Sequence, residues 1–370
     1  MCRVLFLYAT SNSGHQKAAE AIEKSISLRA PSIKTFGVDF FTYHYPTLGP
    51  FIFRMYLDLM QSIPHVWDSI YDNPELASLT AELRQFFNFL NTPKLHRVLA
   101  QCKPDLIVST QAVPAGFIAS EKQRGNISTP HFVTITDFVA NPYWPVHGVD
   151  RYFVPHAEIR DQLVQRGIAE NKIRVTGIPV DESFITRLPR HTVRARLGLA
   201  PDIPTILLMG GSKGLGQIAA AVTALLENNF RTLQLIVVTG NNRSLFRHLK
   251  KKYQQKNILV FSCVKNISRL MDAADILIGK PGGLTSSEAL VKNLPLIILS
   301  PLPGQEERNA AFLTRFGVAE RCDNAEQLPR IVEQMLSHPL KMGRYQTQAS
   351  RLAQPYASRS VADTIIEYLK

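Results

Sequence analysis

The chain has few cysteines and no long apolar run. Its four cysteines lie far apart and without C-x-x-C spacing, which favours a reducing compartment and excludes a disulfide framework: Cys2, Cys102, Cys263 and Cys322. No apolar stretch approaches the roughly 18 residues of a transmembrane helix, and the apolar residues 3–9 are too few for a signal peptide. We therefore expect a cytoplasmic protein whose contact with a membrane, if it has one, is peripheral.

Metal and common nucleotide motifs are missing as well. The ten histidines show no H-x-x-x-H or H-E-x-x-H spacing, so we expect no metal site. The loop at residues 10–16 is not the G-x-G-x-x-G of dinucleotide-binding proteins, and residues 210–216 lack the Gly-Lys-Ser/Thr ending of a P-loop. The sequence therefore predicts neither a classical dinucleotide-binding site nor a P-loop.

Acidic residues are in deficit, with 30 against 42 basic residues and a net charge of +12. Such a surplus favours an anionic partner, which could be nucleic acid, an anionic membrane surface or a phosphorylated substrate. Solubility alone is the other interpretation. Because the aromatic residues cluster away from most of the basic ones, we do not expect a nucleic-acid partner.

What the chain does have is a regular alternation of strands and helices. Residues 3–9 predict a buried parallel strand, and the spacing of apolar residues from Lys17 to Arg29 predicts the helix after it. The alternation continues to about residue 176 and restarts at Thr205, whereas the Pro-rich residues 176–191 lack periodicity and predict a linker. The pattern indicates two α/β domains, each with a doubly wound parallel sheet, at about 1–185 and 190–350.

The most informative stretch is residues 276–290, which read as a buried strand, a Pro-Gly-Gly turn and a helix. Such a junction directs unpaired backbone N–H groups and the positive end of a helix dipole at one spot, which suits a phosphate. Glu288 lies about a turn into this helix, where its carboxylate can accept both ribose hydroxyls or simply complement the dipole. A second polar turn, at 301–309, also precedes a helix, and the two together suggest a nucleotide-type ligand.

Two further loops are candidates. The glycine-rich residues 210–216 read either as a phosphate cradle, with Lys213 adding charge, or as an ordinary turn between strand and helix. His15 stands at a helix entrance, where the dipole lowers its pKa and keeps it able to accept a proton; it is a candidate general base or a helix cap. Asp137, at the end of another strand, is placed to orient His15, contact an acceptor hydroxyl or cap the next turn.

Residues 36–71 hold ten aromatic residues in 36 positions. Aromatic and methionine side chains with a few cations suit the headgroup level of a bilayer. A helical hairpin buried in the first domain is the alternative, and both interpretations stay open.

Taken together, these motifs resemble a known family. Gly279-Lys280-Pro281-Gly282-Gly283-Leu284-Thr285-Ser286-Ser287-Glu288, followed by Pro301 to Asn309, resembles the nucleotide-sugar signature of diacylglycerol glycosyltransferases. These are the bacterial processive glucosyltransferases and the plant monogalactosyldiacylglycerol synthases, which are similar in turn to the N-acetylglucosaminyltransferase that makes lipid II. The resemblance extends to Ser13-Gly14-His15, Thr136-Asp137-Phe138 with Trp144, residues 149–154 and residues 176–179, and covers about residues 3–350.

The resemblance implies a GT-B fold, in which two Rossmann-like domains face each other across a cleft and a last helix, about 355–370, crosses back to the first. It implies an inverting transfer of hexose from UDP-glucose or UDP-galactose to diacylglycerol or glycosyl-diacylglycerol, without a metal or other cofactor, on the inner face of the cell membrane. A polyprenyl-linked or other lipid-like acceptor is the alternative. A non-catalytic nucleotide- or nucleic-acid-binding protein is a third reading.

The resemblance also implies roles for individual residues. His15, with Asp137, would be catalytic, the Gly282–Ser286 turn would bind the diphosphate, Glu288 the ribose and residues 262–264 the uracil. The complete donor set is Gly14, Gly211, Ser212, Lys213, Cys263, Val264, Lys280, Pro281, Gly282, Gly283, Leu284, Thr285, Ser286, Glu288, Gln305, Glu306 and Asn309. The acceptor and membrane set, which would face an anionic bilayer, is Phe40, Phe41, Tyr43, Phe51, Phe53, Tyr56, Trp67 and Trp144. One departure is Asn141, where relatives often carry His.

Overall fold

The computed structural model describes residues 1–9, 13–40, 95–211, 214, 216–227, 232–254 and 257–370. Its contacts divide the chain into two units. The first comprises Met1–Asp181, Leu302–Gln305 and Tyr356–Lys370, and the second comprises Glu182–Pro301 and Glu306–Pro355. In the described part of the chain, no helix has the length and apolarity needed to cross a bilayer.

The elements follow one another as alternating strands and helices. The strands are β1 Arg3–Tyr8, β2 Lys34–Asp39, β3 Leu106–Ser109, β4 His131–Thr134, β5 Arg151–Val154, β6 Ile173–Val175, β7 Thr205–Met209, β8 Gln234–Val238, β9 Ile258–Phe261, β10 Ile276–Gly279, β11 Leu296–Leu299 and β12 Ala319–Cys322. The helices are α1 Gly14–Arg29, α2 Ala112–Gln123, α3 Ala157–Gln165, α4 Arg190–Arg196, α5 Ile218–Glu227, α6 Arg243–Lys252, α7 Ile267–Ala273, α8 Gly283–Val291, α9 Gln305–Arg315, α10 Leu328–Leu336, α11 Pro339–Leu352 and α12 Ala357–Tyr368. Residues 95–102 are also helical.

The first unit is built on a parallel sheet with the strand order β2-β1-β3-β4-β5-β6. The inner strands β1, β3, β4 and β5 are buried on both faces because both faces of the sheet are covered, whereas the edge strands β2 and β6 are largely exposed or half-buried. On one face, Phe6 and Val108 pack with Ile22 of α1 and Ile365 of α12. On the other, Leu5 and Ile107 pack with residues of α2. The order of strands reverses between β1 and β3, which places a topological switch point there.

The second unit has the strand order β12-β11-β10-β7-β8-β9, again all parallel. Its core joins the strands to α5, α6 and α10 through fully buried aliphatic side chains such as Ile206, Val222 and Val332. Here the strand order reverses between β7 and β10. The prediction of two doubly wound parallel α/β sheets is therefore confirmed.

Some local predictions need correction. Helix α1 begins at Gly14 and not at Lys17, because the Ser13 hydroxyl accepts the Gln16 N–H at 3.3 Å and caps the helix early. The stretch predicted as a linker contains the start of α4. Strand β12 was missed because only Ala319 and Cys322 are buried, which leaves a short, largely polar pattern at the edge of the sheet.

Candidate functional site

His15 lies at the carboxyl edge of the first sheet, where its chain segment follows β1. Thr110 follows β3 and Thr136 follows β4, and these three strands are neighbours in the sheet. Because parallel strands all end at the same edge, the three residues meet at the switch point, which is where open sheets bind ligands.

Hydrogen bonds hold the His15 ring in one tautomer. Its Nδ1 lies 3.0 Å from the Thr110 carbonyl oxygen and 2.8 Å from Thr136 Oγ1. A carbonyl oxygen only accepts hydrogen bonds, so Nδ1 carries the proton and donates it. The Thr110 hydroxyl in turn donates to the His15 carbonyl oxygen at 2.9 Å. The lone pair therefore resides on Nε2, the nitrogen that a general base needs.

The environment keeps this imidazole neutral. Burial lowers the pKa of His15, while the negative charge of Asp137 and the hydrogen bond to Thr110 oppose that effect without overcoming it. Asp137 thus acts on His15 through charge. A neutral ring with a free Nε2 at physiological pH is able to accept a proton from a hydroxyl.

In the second unit, glycines let the loops after β7 and β10 approach each other and their neighbours. A Cβ on Gly214, whose φ is +57°, would overlap the carbonyl oxygen of Thr239, and a Cβ on Gly279 would lie 2.7 Å from that of Met209. The Lys280 side chain passes beside Gly216, with its Cε 3.5 Å from the position of a Cβ there. The glycine-rich loop and the start of the Pro-Gly-Gly turn therefore lie together at the switch point of this sheet.

Helix α8 begins as the sequence predicts, with Gly282 as its N-cap. The first intrahelical hydrogen bond runs from the Ser286 N–H to the Gly282 carbonyl, so the preceding N–H groups have no acceptor within the helix. Apart from its chain neighbours, no heavy atom of the described residues lies within 4 Å of the position of a Cβ on Gly282, so the approach to this turn is open there. The buried Ser286 hydroxyl finds no hydrogen-bond partner among the described residues.

The remaining predicted donor residues lie on other segments of the chain. Lys280 Nζ lies 3.3 Å from Glu306 Oε1 at the start of α9, so the two predicted donor residues neutralise each other here. Asn309 is buried one turn later, while Gln305 falls with the first unit in the contact division. Cys263 is exposed and donates its thiol to Asn241 Oδ1 at 2.9 Å.

Two residues of the acceptor set lie in the core of the first unit instead of on its surface. Phe40 and Trp144 are each only 3% exposed. Phe40 packs edge-on against Phe117 with ring centroids 5.5 Å apart, and Trp144 packs in a cluster with Tyr152. Neither side chain is available to a bilayer in this structure. The other members of that set and two of the donor set lie outside the described residues: Phe41, Tyr43, Phe51, Phe53, Tyr56, Trp67, Ser212 and Lys213.

Asn141 takes part in the backbone turn at residues 141–143. Its Oδ1 accepts the Tyr143 N–H at 2.8 Å and shapes the turn. Arg166, which the sequence analysis did not single out, donates to the carbonyl oxygens of Asn141, Pro142 and Trp144 at 2.8–3.0 Å. Thr110 was also missed, since a threonine after a buried strand carries no distinctive signal in the sequence.

Comparison with known proteins agrees with the resemblance. Residues 15–180 match the sequence model of monogalactosyldiacylglycerol (MGDG) synthase, and residues 205–365 match that of the glycosyltransferase family 28 C-terminal domain. The processive diacylglycerol beta-glucosyltransferase of Staphylococcus saprophyticus is 25% identical over 374 residues, which cover 99% of this chain and 93% of that protein.

Solved structures resemble the whole chain in fold. The UDP-GlcNAc 2-epimerase of Neisseria meningitidis, bound to UDP-GlcNAc, has a TM-score of 0.66 at 14% identity, covering 99% of this chain and 100% of the other. MurG of Acinetobacter baumannii has a TM-score of 0.61 at 18% identity, with the same coverage. At these identities the likeness shows the fold alone.

The fold and the two matched domains define a GT-B glycosyltransferase. The chain is similar to monogalactosyldiacylglycerol synthases over residues 15–180 and to a diacylglycerol glucosyltransferase over nearly its whole length, as the sequence motifs predict.

Proposed function

We propose that this protein transfers glucose from UDP-glucose to diacylglycerol, with inversion at the anomeric carbon. Support for the lipid acceptor and the hexose comes from relatives named diacylglycerol beta-glucosyltransferases that match nearly the whole chain. The observation that carries the catalytic part is the fixed His15 ring, whose Nδ1–H is bonded to Thr110 and whose Nε2 holds the lone pair.

In the proposed reaction, His15 Nε2 accepts the proton of the acceptor hydroxyl as that oxygen attacks the anomeric carbon. The bond from this carbon to the diphosphate breaks, and UDP leaves with the electron pair. The resulting imidazolium donates Nδ1–H to the Thr110 carbonyl and is stabilised by the negative charge of Asp137. Asp137 is thus a positioning and electrostatic residue in this proposal.

The second unit would hold the donor. The open turn at Gly282 and the N–H groups at the start of α8 that have no acceptor within the helix suit the diphosphate, whose developing charge they would stabilise. Glu288, in the same helix, would accept the ribose hydroxyls. We propose that this arrangement works without a bound metal, and activity is then expected to survive exhaustive treatment with a chelator.

We place the reaction at the inner face of the cell membrane, with the protein bound peripherally. The acceptor is dissolved in the bilayer while UDP-sugars are cytoplasmic, so the enzyme has to reach both.

Replacing His15 by alanine tests the base directly. Loss of a general base costs about 10²- to 10⁴-fold in rate, so turnover should fall by that factor while UDP binding, measured by calorimetry, stays the same. The matched control is His147→Ala, which removes an exposed histidine from the same unit. Because burial lowers the pKa of His15, kcat/KM of the native enzyme should stay constant from pH 8 down to the usual histidine range and fall only below it.

The substrate is tested in neutral detergent micelles with diacylglycerol or a polyprenyl-linked lipid and with each UDP-hexose in turn, followed by mass and sugar analysis of the lipid. Glucosyl-diacylglycerol is the expected product. A galactolipid would overturn the choice of hexose only, transfer to a polyprenyl acceptor alone would overturn the acceptor, and full turnover by the His15 variant would overturn the base.

A further inference from the structure

The net positive charge of this protein is concentrated in one unit. The second unit has 23 basic and 12 acidic residues, whereas the first has 19 and 18. Eleven of the twelve surplus charges therefore belong to the second unit. The aromatic segment at residues 36–71, for which contact with a bilayer is one of two interpretations, has one basic and three acidic residues, so it does not provide the attraction to an anionic surface.

Within the second unit, the surplus lies mainly in one stretch of sequence. No Asp or Glu occurs between Glu227 and Asp272, and this interval holds nine basic residues: Arg231, Arg243, Arg247, Lys250, Lys251, Lys252, Lys256, Lys265 and Arg269. The stretch includes α6 and β9, and β9 is the edge strand of the sheet. The charge is thus located at one edge of this unit.

Helix α6 has two distinct faces. Leu245, Leu249 and Tyr253 follow one another at intervals of four and pack into the core. Arg243, Arg247 and Lys251 follow the same spacing two residues out of phase, and all three are exposed. Lys250 lies beside them, since residues three and four apart share a helix face. These four cations form what we call the basic face of α6.

The basic face has no acidic partner among the described residues. The ion pairs recorded for the stretch join Lys252 to Glu227 at 3.1 Å and Arg269 to Asp272 at 3.4 Å. Neither involves the basic face. Its charges are therefore free to act on an external anion.

Helix stability does not account for this arrangement. Cations in the last turn, such as Lys250 and Lys251, do complement the helix dipole. Arg243 stands in the first turn of α6, where the dipole opposes a cation, and Arg243, Arg247 and Lys251 are like charges at intervals of four residues, which repel each other. The placement costs stability in the isolated protein, and a polyanionic partner would offset that cost.

We propose that the basic face of α6 docks the protein onto anionic phospholipids at the bilayer surface. Clusters of four to eight basic residues on an amphipathic helix are typical of binding to anionic lipids. Binding of nucleic acid would use aromatic rings that stack on bases, and the aromatic rings of this helix region are not available for that. Tyr253 is buried, and Lys250 Nζ lies over the Phe246 ring, 5.0 Å from its centroid. The inference rests on the proposed function, since a bilayer is where the acceptor of that reaction lies.

The test compares two triple variants of the full chain. Arg247→Glu, Lys250→Glu and Lys251→Glu reverse three of the four charges of the basic face without changing any predicted donor or catalytic residue. The control, Arg330→Glu, Arg344→Glu and Arg351→Glu, changes the net charge equally through exposed arginines on or beside α10 and α11 of the same unit. Binding is measured by flotation with vesicles of phosphatidylcholine, with and without phosphatidylglycerol, and with a double-stranded oligonucleotide.

Each cation near an anionic leaflet contributes about fivefold to binding, so removing three is expected to weaken binding to phosphatidylglycerol vesicles at least about 100-fold. The control should bind within a few-fold of the native protein, and added salt should weaken native binding. A triple Gln variant at the same positions, with helicity checked by circular dichroism, should lose about 100-fold as well and excludes misfolding as the cause.

Three results would overturn the proposal: native-like vesicle binding by the α6 variants, an equal loss in the control, or tighter binding of the oligonucleotide than of the vesicles through the same residues. Transfer to diacylglycerol in neutral micelles is measured separately and should be unchanged in the α6 variants. If the native protein shows no transfer to diacylglycerol, the proposed function is refuted. The vesicle-binding comparison would still test whether the basic face of α6 binds anionic lipid.

Discussion

Replacing Glu23 by glutamine is expected to stabilise the first unit above pH 7 and to leave its stability unchanged below pH 4.5. Glu23 projects from α1 toward β2, where its Oε1 lies 3.1 Å from the position of a Cβ on Gly37. This oxygen has no hydrogen-bond partner among the described residues. Burial, and secondly the charge of Glu20, raise the pKa of Glu23 from 4.5 to about 7.

The shift gives the size and the sign of the effect. One pKa unit corresponds to about 1.4 kcal/mol, so ionising Glu23 costs the folded state about 3 kcal/mol more than the unfolded chain. The pKa of Glu23 is higher in the folded state than in the unfolded chain. The contribution that Glu23 makes to the free energy of unfolding is therefore fully present below pH 4.5 and is lost as the pH rises through 7. Glutamine removes the charge but keeps a polar amide, so we expect a gain of about 1–3 kcal/mol above pH 7.

The gain is measured as a shift in the urea midpoint of the first unit, followed by hydrogen exchange in α1, at one pH below 4.5 and one above 7. The control is Glu367→Gln, which removes an exposed carboxylate from α12, a helix of the same unit. The reasoning is refuted if Glu23→Gln has the same effect at both pH values, or if it destabilises the unit above pH 7.

Two further predictions concern the second unit. Gly214→Ala should destabilise it by about 2–4 kcal/mol and weaken UDP binding, because the new Cβ meets the Thr239 carbonyl at a positive φ. The control, Gly211→Ala, also has a positive φ but open space around the new Cβ, and should cost about 1 kcal/mol. Equal urea midpoints for the two variants would contradict this prediction. Lys292→Met should cost about 3–5 kcal/mol because it leaves Asp272 charged, where the two buried side chains now pair at 2.7 Å. Adding Asp272→Leu should recover most of that loss in a double-mutant cycle, and an additive loss would show that the pair is not the cause.

Much of the fold was predictable because buried parallel strands have a recognisable sequence pattern, a short apolar run that ends in turn residues. Residues 276–290 specify strand, turn and helix by themselves, since Pro281 and Gly282 break the strand and the following residues favour a helix. The edge strand β12 was not predictable, because a strand with one solvated side carries little apolar pattern. Strand order was likewise beyond the sequence, as it depends on which crossovers pack.

The candidate site divides in the same way. The sequence by itself predicted His15, the Gly282 turn and the nucleotide-sugar motif as candidates, because each depends on neighbours along the chain. The interval without acidic residues between Glu227 and Asp272 is visible in the sequence, but the sequence does not show which basic residues of that interval share an exposed face. The resemblance placed Phe40 and Trp144 at the membrane, but both are buried, and an aromatic residue in the sequence does not itself distinguish a core position from a bilayer contact.

Only the tertiary structure decided which nitrogen of His15 holds the proton. Thr110 lies 95 residues away from His15 in the sequence and Thr136 lies 121 away, and they reach the ring only because β1, β3 and β4 are neighbours in the sheet. The same holds for the basic face of α6, which exists because Leu249 and Tyr253 are buried and the cations therefore are not. Local sequence sets the chemistry of each residue, whereas packing between distant segments sets the tautomer, the burial and the face that it presents.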